Sequence, residues 1–107
     1  MCADLCNLES DIKALESVGV DLLHFELMDA HFVPNMPIGL ELLSQLRPIT
    51  DCPYDVHLMV EDIDFFISKL SEIGVQQITV HVESAIHLDR TLGLIRDYGI
   101  KAGLALN

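Results

Sequence analysis

The sequence predicts an α/β fold built on a parallel sheet, and three observations carry that prediction. Short runs rich in β-forming residues alternate with segments of helical spacing. Three helical segments leave through the same signature, a Gly followed by an apolar residue: Gly19-Val20, Gly74-Val75 and Gly99-Ile100. No linker or composition shift divides the 107 residues, so 1–107 reads as one domain. A β-α-β-α repeat calls for right-handed crossovers, in a (β/α)-barrel or in an open doubly wound sheet. The chain has no G-x-G-x-x-G and no P-loop, which counts against a nucleotide-binding version.

The elements follow in order. Leu8 to about Val18 forms the first helix, with Leu8, Ile12, Leu15 and Val18 on one face. Leu22 to Met28 is the first strand. The second helix, about Ile38 to Leu46, carries Leu40, Leu43 and Leu46 and stops at Arg47-Pro48, where proline cannot continue it. Tyr54 to Val60 is the second strand. Ile63 to Ile73 is the third helix, with Ile63, Phe66, Leu70 and Ile73 as its stripe. Gln77 to Val82 is the third strand. The last helix, Leu88 to Tyr98, uses Leu88, Leu92, Ile95 and Tyr98, and Lys101 to Leu106 is the last strand.

Composition narrows the function. With 50% apolar and 21% charged residues, the chain is too hydrophobic for a disordered tail. Seventeen acidic and six basic residues give a net charge of -11, which makes the chain a poor ligand for nucleic acid and for anionic membranes. No stretch approaches the ~20 apolar residues of a membrane span. The N-terminus lacks the basic region and apolar run of a signal peptide. Cys2, Cys6 and Cys52 cannot complete a disulfide set and form no C-x-x-C pair, which points to a reduced, cytoplasmic chain.

Parallel α/β folds bind ligands at the carboxyl ends of their strands. The first strand places His24, Glu26 and Met28 on one face, two residues apart. The second places His57 and Met59, and the third His81, with Glu83 two residues on. A single buried strand histidine can be a hydrogen-bonded core residue, and Met28 and Met59 can be core filler. Glu26 differs, because a carboxylate on a buried strand face is costly unless it meets a cation, a metal or a function. Two imidazoles with one carboxylate suit Zn, Mn, Fe or Co. Asp29 is expected to cap the turn after the first strand, and Phe32-Val33-Pro34-Asn35 to form an ordered loop. Glu61, Asp62 and Asp64 complement the dipole of the third helix. His31 and His87 carry no role by pattern.

These residues resemble the ribulose-phosphate 3-epimerase family. The resemblance is carried by the stretch Leu23-His24-Phe25-Glu26-Leu27-Met28-Asp29-Ala30-His31-Phe32-Val33-Pro34-Asn35 and by Asp55-Val56-His57-Leu58-Met59-Val60. Thr79-Val80-His81-Val82-Glu83 and Lys101-Ala102-Gly103-Leu104-Ala105-Leu106-Asn107 extend it over essentially the whole chain. The resemblance implies a partial (β/α)8 TIM barrel of the ribulose-phosphate-binding type. It implies a metal-dependent interconversion of D-ribulose 5-phosphate and D-xylulose 5-phosphate by proton transfer at C3, through an enediolate. His24, Glu26 and His57 are then metal ligands, Glu26 the first acid/base, and His57, Met28 and Met59 substrate contacts. The implied partners are a ketose phosphate and an oligomer, either of like chains or with a full-length subunit. His81 and Glu83 match the family pattern without an assigned role.

Four departures qualify the resemblance. Glu26 stands where the family usually has Asp; the extra methylene can displace the carboxylate by about 1 Å, an error able to cost ~10²-fold in rate. Ala30 replaces a usual Gly. The family's first strand, with its substrate-contacting Ser, has no counterpart, and the family's second catalytic Asp and Gly-rich phosphate loops lie beyond the equivalent of Asn107. A full barrel takes about 200–250 residues. The expectation is therefore an incomplete barrel: a fragment, a truncated product or a divergent isoform with two open sheet edges, marginal alone. A non-catalytic truncated paralogue that joins an intact epimerase subunit, and a hexulose 6-phosphate 3-epimerase, are the alternatives.

Overall fold

The sheet is all-parallel, with its four strands in the order β1-β2-β3-β4 and a helix before each one. This computed structural model describes residues 3–34 and 38–107; Cys2 and Asn35 lie outside them. The elements are α1 (Leu8–Ser17), β1 (Leu23–Met28), α2 (Leu40–Leu46), β2 (Tyr54–Met59), α3 (Ile63–Ile73), β3 (Gln77–His81), α4 (Leu88–Asp97) and β4 (Lys101–Ala105). The architecture is that of half a (β/α)8 barrel, and each element falls within two residues of its expected bounds.

Period-two alternation sorts each strand into two faces. Leu23, Phe25 and Leu27, then Tyr54, Val56 and Leu58, then Ile78 and Val80 are buried under the helices. Ile12, Leu43, Leu46, Ile63, Ile67, Leu70 and Ile95 meet them from the helices and complete one core. The stripe expected for α1 is narrower than its spacing suggested. Ile12 is buried, while Leu15 and Val18 are exposed, because α1 meets the molecule only along its Ile12 side and Val18 already lies past the helix end. Tyr98, past the end of α4, is half-exposed for the same reason.

The helix exits behave as their sequence requires. Gly74 ends α3 with φ 95°, and its N–H reaches the Leu70 carbonyl at 3.0 Å. Asp62 opens that helix by accepting from the Phe65 N–H at 3.3 Å. At the amino end of the sheet, the Arg47 guanidinium lies over the Tyr54 ring, 3.8 Å from its centre. It also donates to the Thr50 and Cys52 carbonyls at 2.6 and 2.7 Å. Gln76 accepts from the Tyr54 N–H at 2.7 Å, which ties β3 to β2 where both begin. Between β3 and β4, Gly103 faces Thr79; a Cβ there would sit 2.4 Å from Thr79 Oγ1, so the two strands approach this closely only over a glycine.

Ala30, just past β1, has φ 64°. A side-chain Cβ in the left-handed region costs roughly 1–2 kcal/mol, part of which a glycine would return in unfolded-chain entropy. Ala30→Gly should therefore raise stability by roughly 0.5–1 kcal/mol in urea unfolding. An unchanged or lower midpoint would show that the turn carries no such strain.

Candidate active site

The face of the sheet turned away from the helices carries the polar residues. The β1–β2 register sets His24 beside Asp55, Glu26 beside His57 and Met28 beside Met59. His57 in turn neighbours Thr79, and His81 neighbours Ala105. The three residues singled out as metal ligands come together: His24, Glu26 and His57 each offer a donor atom within 4.8 Å of the others. His24 is exposed, and Glu26 and His57 are half-buried. Met59 is buried and Met28 half-buried at the carboxyl end of the same face.

Both histidines are held by a second group. His24 Nδ1 lies 2.7 Å from Asp55 Oδ2. A carboxylate only accepts, so Nδ1 carries a hydrogen, and Nε2 is the nitrogen that Asp55 does not engage. His57 Nε2 lies 2.8 Å from His81 Nε2, and the two rings stack with centres 4.8 Å apart. One of these nitrogens donates and the other accepts. Burial pushes the His57 pKa down, the neighbouring His81 adds to that, and Glu26 opposes it. With Nε2–H donated to His81, His57 has its Nδ1 lone pair for a ligand. Behind the pair, Glu83 lies 3.6 Å from His81 Nδ1. The Asn107 N–H, donating at 2.9 Å, holds the Glu83 carboxyl below the usual carboxylate range.

Two imidazoles and a carboxylate with donor atoms within 4.8 Å of one another form a donor set that fits a divalent ion of the Zn, Mn, Fe or Co type. Asp55 and the His57–His81 contact were not singled out from the sequence. Asp55 could have been found by counting, since it stands two residues before His57 on the same face. The His57–His81 contact depends on how neighbouring strands bring their side chains together, which spacing within one strand does not reveal.

Asp29 caps the turn after β1 as expected and also ties two loops together. Its Oδ1 accepts from the His31 and Phe32 N–H groups at 2.9 and 3.0 Å, and its Oδ2 from the Glu61 N–H at 2.7 Å. The loop after β1 is thereby fixed to the loop after β2, next to Met28 and Met59. His31 turns back on the Asp29 carbonyl at 3.0 Å, and His87 stands at the start of α4, apart from the three donors. Asp64 pairs with Arg90 at 2.9 Å, linking α3 to α4.

The sequence pattern of the ribulose-phosphate 3 epimerase family matches residues 1–107. The chain belongs to this family. It is 47% identical over 107 residues to ribulose-phosphate 3-epimerase 1 of Cupriavidus necator, covering 100% of this chain and 44% of that protein. It is 44% identical over 107 residues to the ribulose-phosphate 3-epimerase of Bacillus subtilis, covering 100% of this chain and 49% of that protein. The Escherichia coli ribulose-phosphate 3-epimerase is 42% identical over 108 residues, with 100% and 48% covered. The chain thus spans about half the length of the curated relatives it matches.

Burial raises the Asp29 pKa, but three backbone N–H bonds outweigh it and leave the carboxyl below its ordinary value. A depressed folded pKa contributes stability above the unfolded value, and that stability fades as pH falls through the folded value. Unfolding in urea should therefore show an acid-side loss beginning near the ordinary Asp pKa of about 3.9 and continuing below it. Asp29→Asn should flatten that limb; the same acid dependence in both proteins would remove Asp29 from its cause.

Proposed function

We propose that the chain carries one half of the active site of a metal-dependent ribulose-phosphate 3-epimerase, acting on D-ribulose 5-phosphate and D-xylulose 5-phosphate. The observation that carries this reading is the convergence of His24, Glu26 and His57 within 4.8 Å, on adjacent strands of a chain that belongs to the family. His24, Glu26 and His57 would hold the ion, which is Zn, Fe, Mn or Co by its donor set. Once bound, a divalent ion supplies positive charge for the substrate oxygens on which negative charge develops.

The chain's own residues do the rest. Glu26 would take the proton from C3 with its carboxylate. His57, neutral by burial, would stay a donor and would not compete for that proton. Met28 and Met59 would cover the reacting carbon with thioethers, which exclude water and offer no proton. The loop tie made by Asp29 would hold these methionines over the carboxyl ends of β1 and β2. A pentose phosphate is favoured over a hexulose phosphate by the names of the relatives alone.

The test is deuterium wash-in at C3 of ribulose 5-phosphate, in D2O with added divalent metal, using the 107-residue chain. Exchange needs a single base, and it should fall at least ~10²-fold in Glu26→Gln. A folded chain that shows no exchange would instead be a non-catalytic member that acts by association.

We also propose that the chain pairs with another, either its like or a longer family member. Among the described residues, β1 and β4 each have a neighbour on one side only, and Leu22 and Leu104 stand half-exposed beside these edges. Sedimentation velocity should show a species heavier than the 11.9 kDa chain. A monomer persisting at high concentration would refute the pairing. A cytoplasmic location is supported by the free thiols of Cys6 and Cys52. No described helix is long and apolar enough to cross a membrane.

A further inference from the structure

The geometry points to Asp55 as the positioning residue of this site: it fixes the His24 ring with Nδ1–H donated to Asp55 and Nε2 left as the ligand nitrogen. The inference rests on the metal-site reading above and adds the group that prepares one of its ligands. His24 Nδ1 and Asp55 Oδ2 are 2.7 Å apart across the β1–β2 register, which sets the two residues side by side. Asp55 is largely buried while His24 is half-exposed, so the carboxylate is the fixed member of the pair and the imidazole the oriented one.

The same carboxylate is poorly placed for a purely structural part. Its Oδ1 is buried and has no hydrogen-bond partner among the described residues. A buried carboxylate oxygen without a partner opposes folding, and an ion pair to a half-exposed histidine repays little of that cost. A carboxylate behind a ligating imidazole instead selects its tautomer, fixes its orientation and makes the free nitrogen more basic. His57 gains a comparable anchor from His81, but there a second imidazole stands in place of a carboxylate.

Two readouts test this on the 107-residue chain. Long-range 15N–1H spectra of the metal-free protein report which His24 nitrogen is protonated, and calorimetry with zinc alone reports affinity. The wild type should show His24 as the Nδ1–H form. Asp55→Ala should shift it toward the Nε2–H form and weaken zinc binding roughly tenfold to a hundredfold. Asp55→Glu, which keeps the charge, should recover part of both. Should Asp55→Ala fail to fold, Asp55→Asn keeps the shape, loses the charge and should still weaken zinc binding. An unchanged tautomer and unchanged zinc affinity in a folded variant would overturn the assignment. If the wild type binds no zinc, the metal-site reading falls, while the tautomer still decides whether Asp55 sets the His24 ring.

Discussion

The register of β1 against β2 is the constraint on which the rest of this molecule depends. It sets Glu26 beside His57 and His24 beside Asp55, and the same alignment buries Leu23, Phe25, Tyr54, Val56 and Leu58 beneath the helices. Side chains alternate with period two, so a slip of one residue would carry the acidic and imidazole groups under α2 and α3 and turn the leucines outward. Core and site are therefore specified together. The register is also fixed at both ends. At the amino end the Leu23 N–H donates to the Pro53 carbonyl at 2.9 Å, and at the carboxyl end Asp29 ties the loop after β1 to the loop after β2.

The two faces of the sheet make opposite demands. The helix-facing side is an ordinary apolar core, closed by residues with no measurable exposure such as Leu43, Ile67, Leu70 and Ile95. The other side concentrates groups that resist burial. His81 Nδ1 and Asp55 Oδ1 are buried without hydrogen-bond partners among the described residues, and both belong to groups that hold a histidine of the donor set. Unpartnered buried polar atoms are rare in folded proteins and mark places where something other than stability is at work. The third, Tyr54 Oη, lies on the core side, where Arg47 covers the ring face rather than the hydroxyl.

Much of this was legible in the sequence, for reasons that differ by element. The Gly exits at 19, 74 and 99 could be read because a left-handed residue without a Cβ is a local requirement. The donor set could be read because His24 and Glu26 share a strand face by counting, and the family resemblance supplied His57. Ala30 stood out as a departure from the family's glycine, and its positive φ gives that departure a physical meaning. Contacts between strands were harder to reach. The His57–His81 stack and the Asp29–Glu61 bond depend on which residues the parallel register brings level, which no single segment encodes. The over-wide stripe of α1 failed for a related reason: helical spacing shows which side is apolar, whereas the neighbouring elements decide how much of it is covered.

The substitution of Glu for the family's usual Asp at position 26 can be weighed against this geometry. The donor atoms of His24, Glu26 and His57 lie within 4.8 Å of one another. His24 is held by Asp55 and His57 by His81, so neither ring moves without breaking its own hydrogen bond. Glu26 is the donor with rotatable bonds to spare. Its extra methylene gives the carboxylate more conformers than an Asp carboxylate would have, and with them more reach. Under the reading proposed above, that reach serves ligation and works against the fixed placement that proton transfer needs.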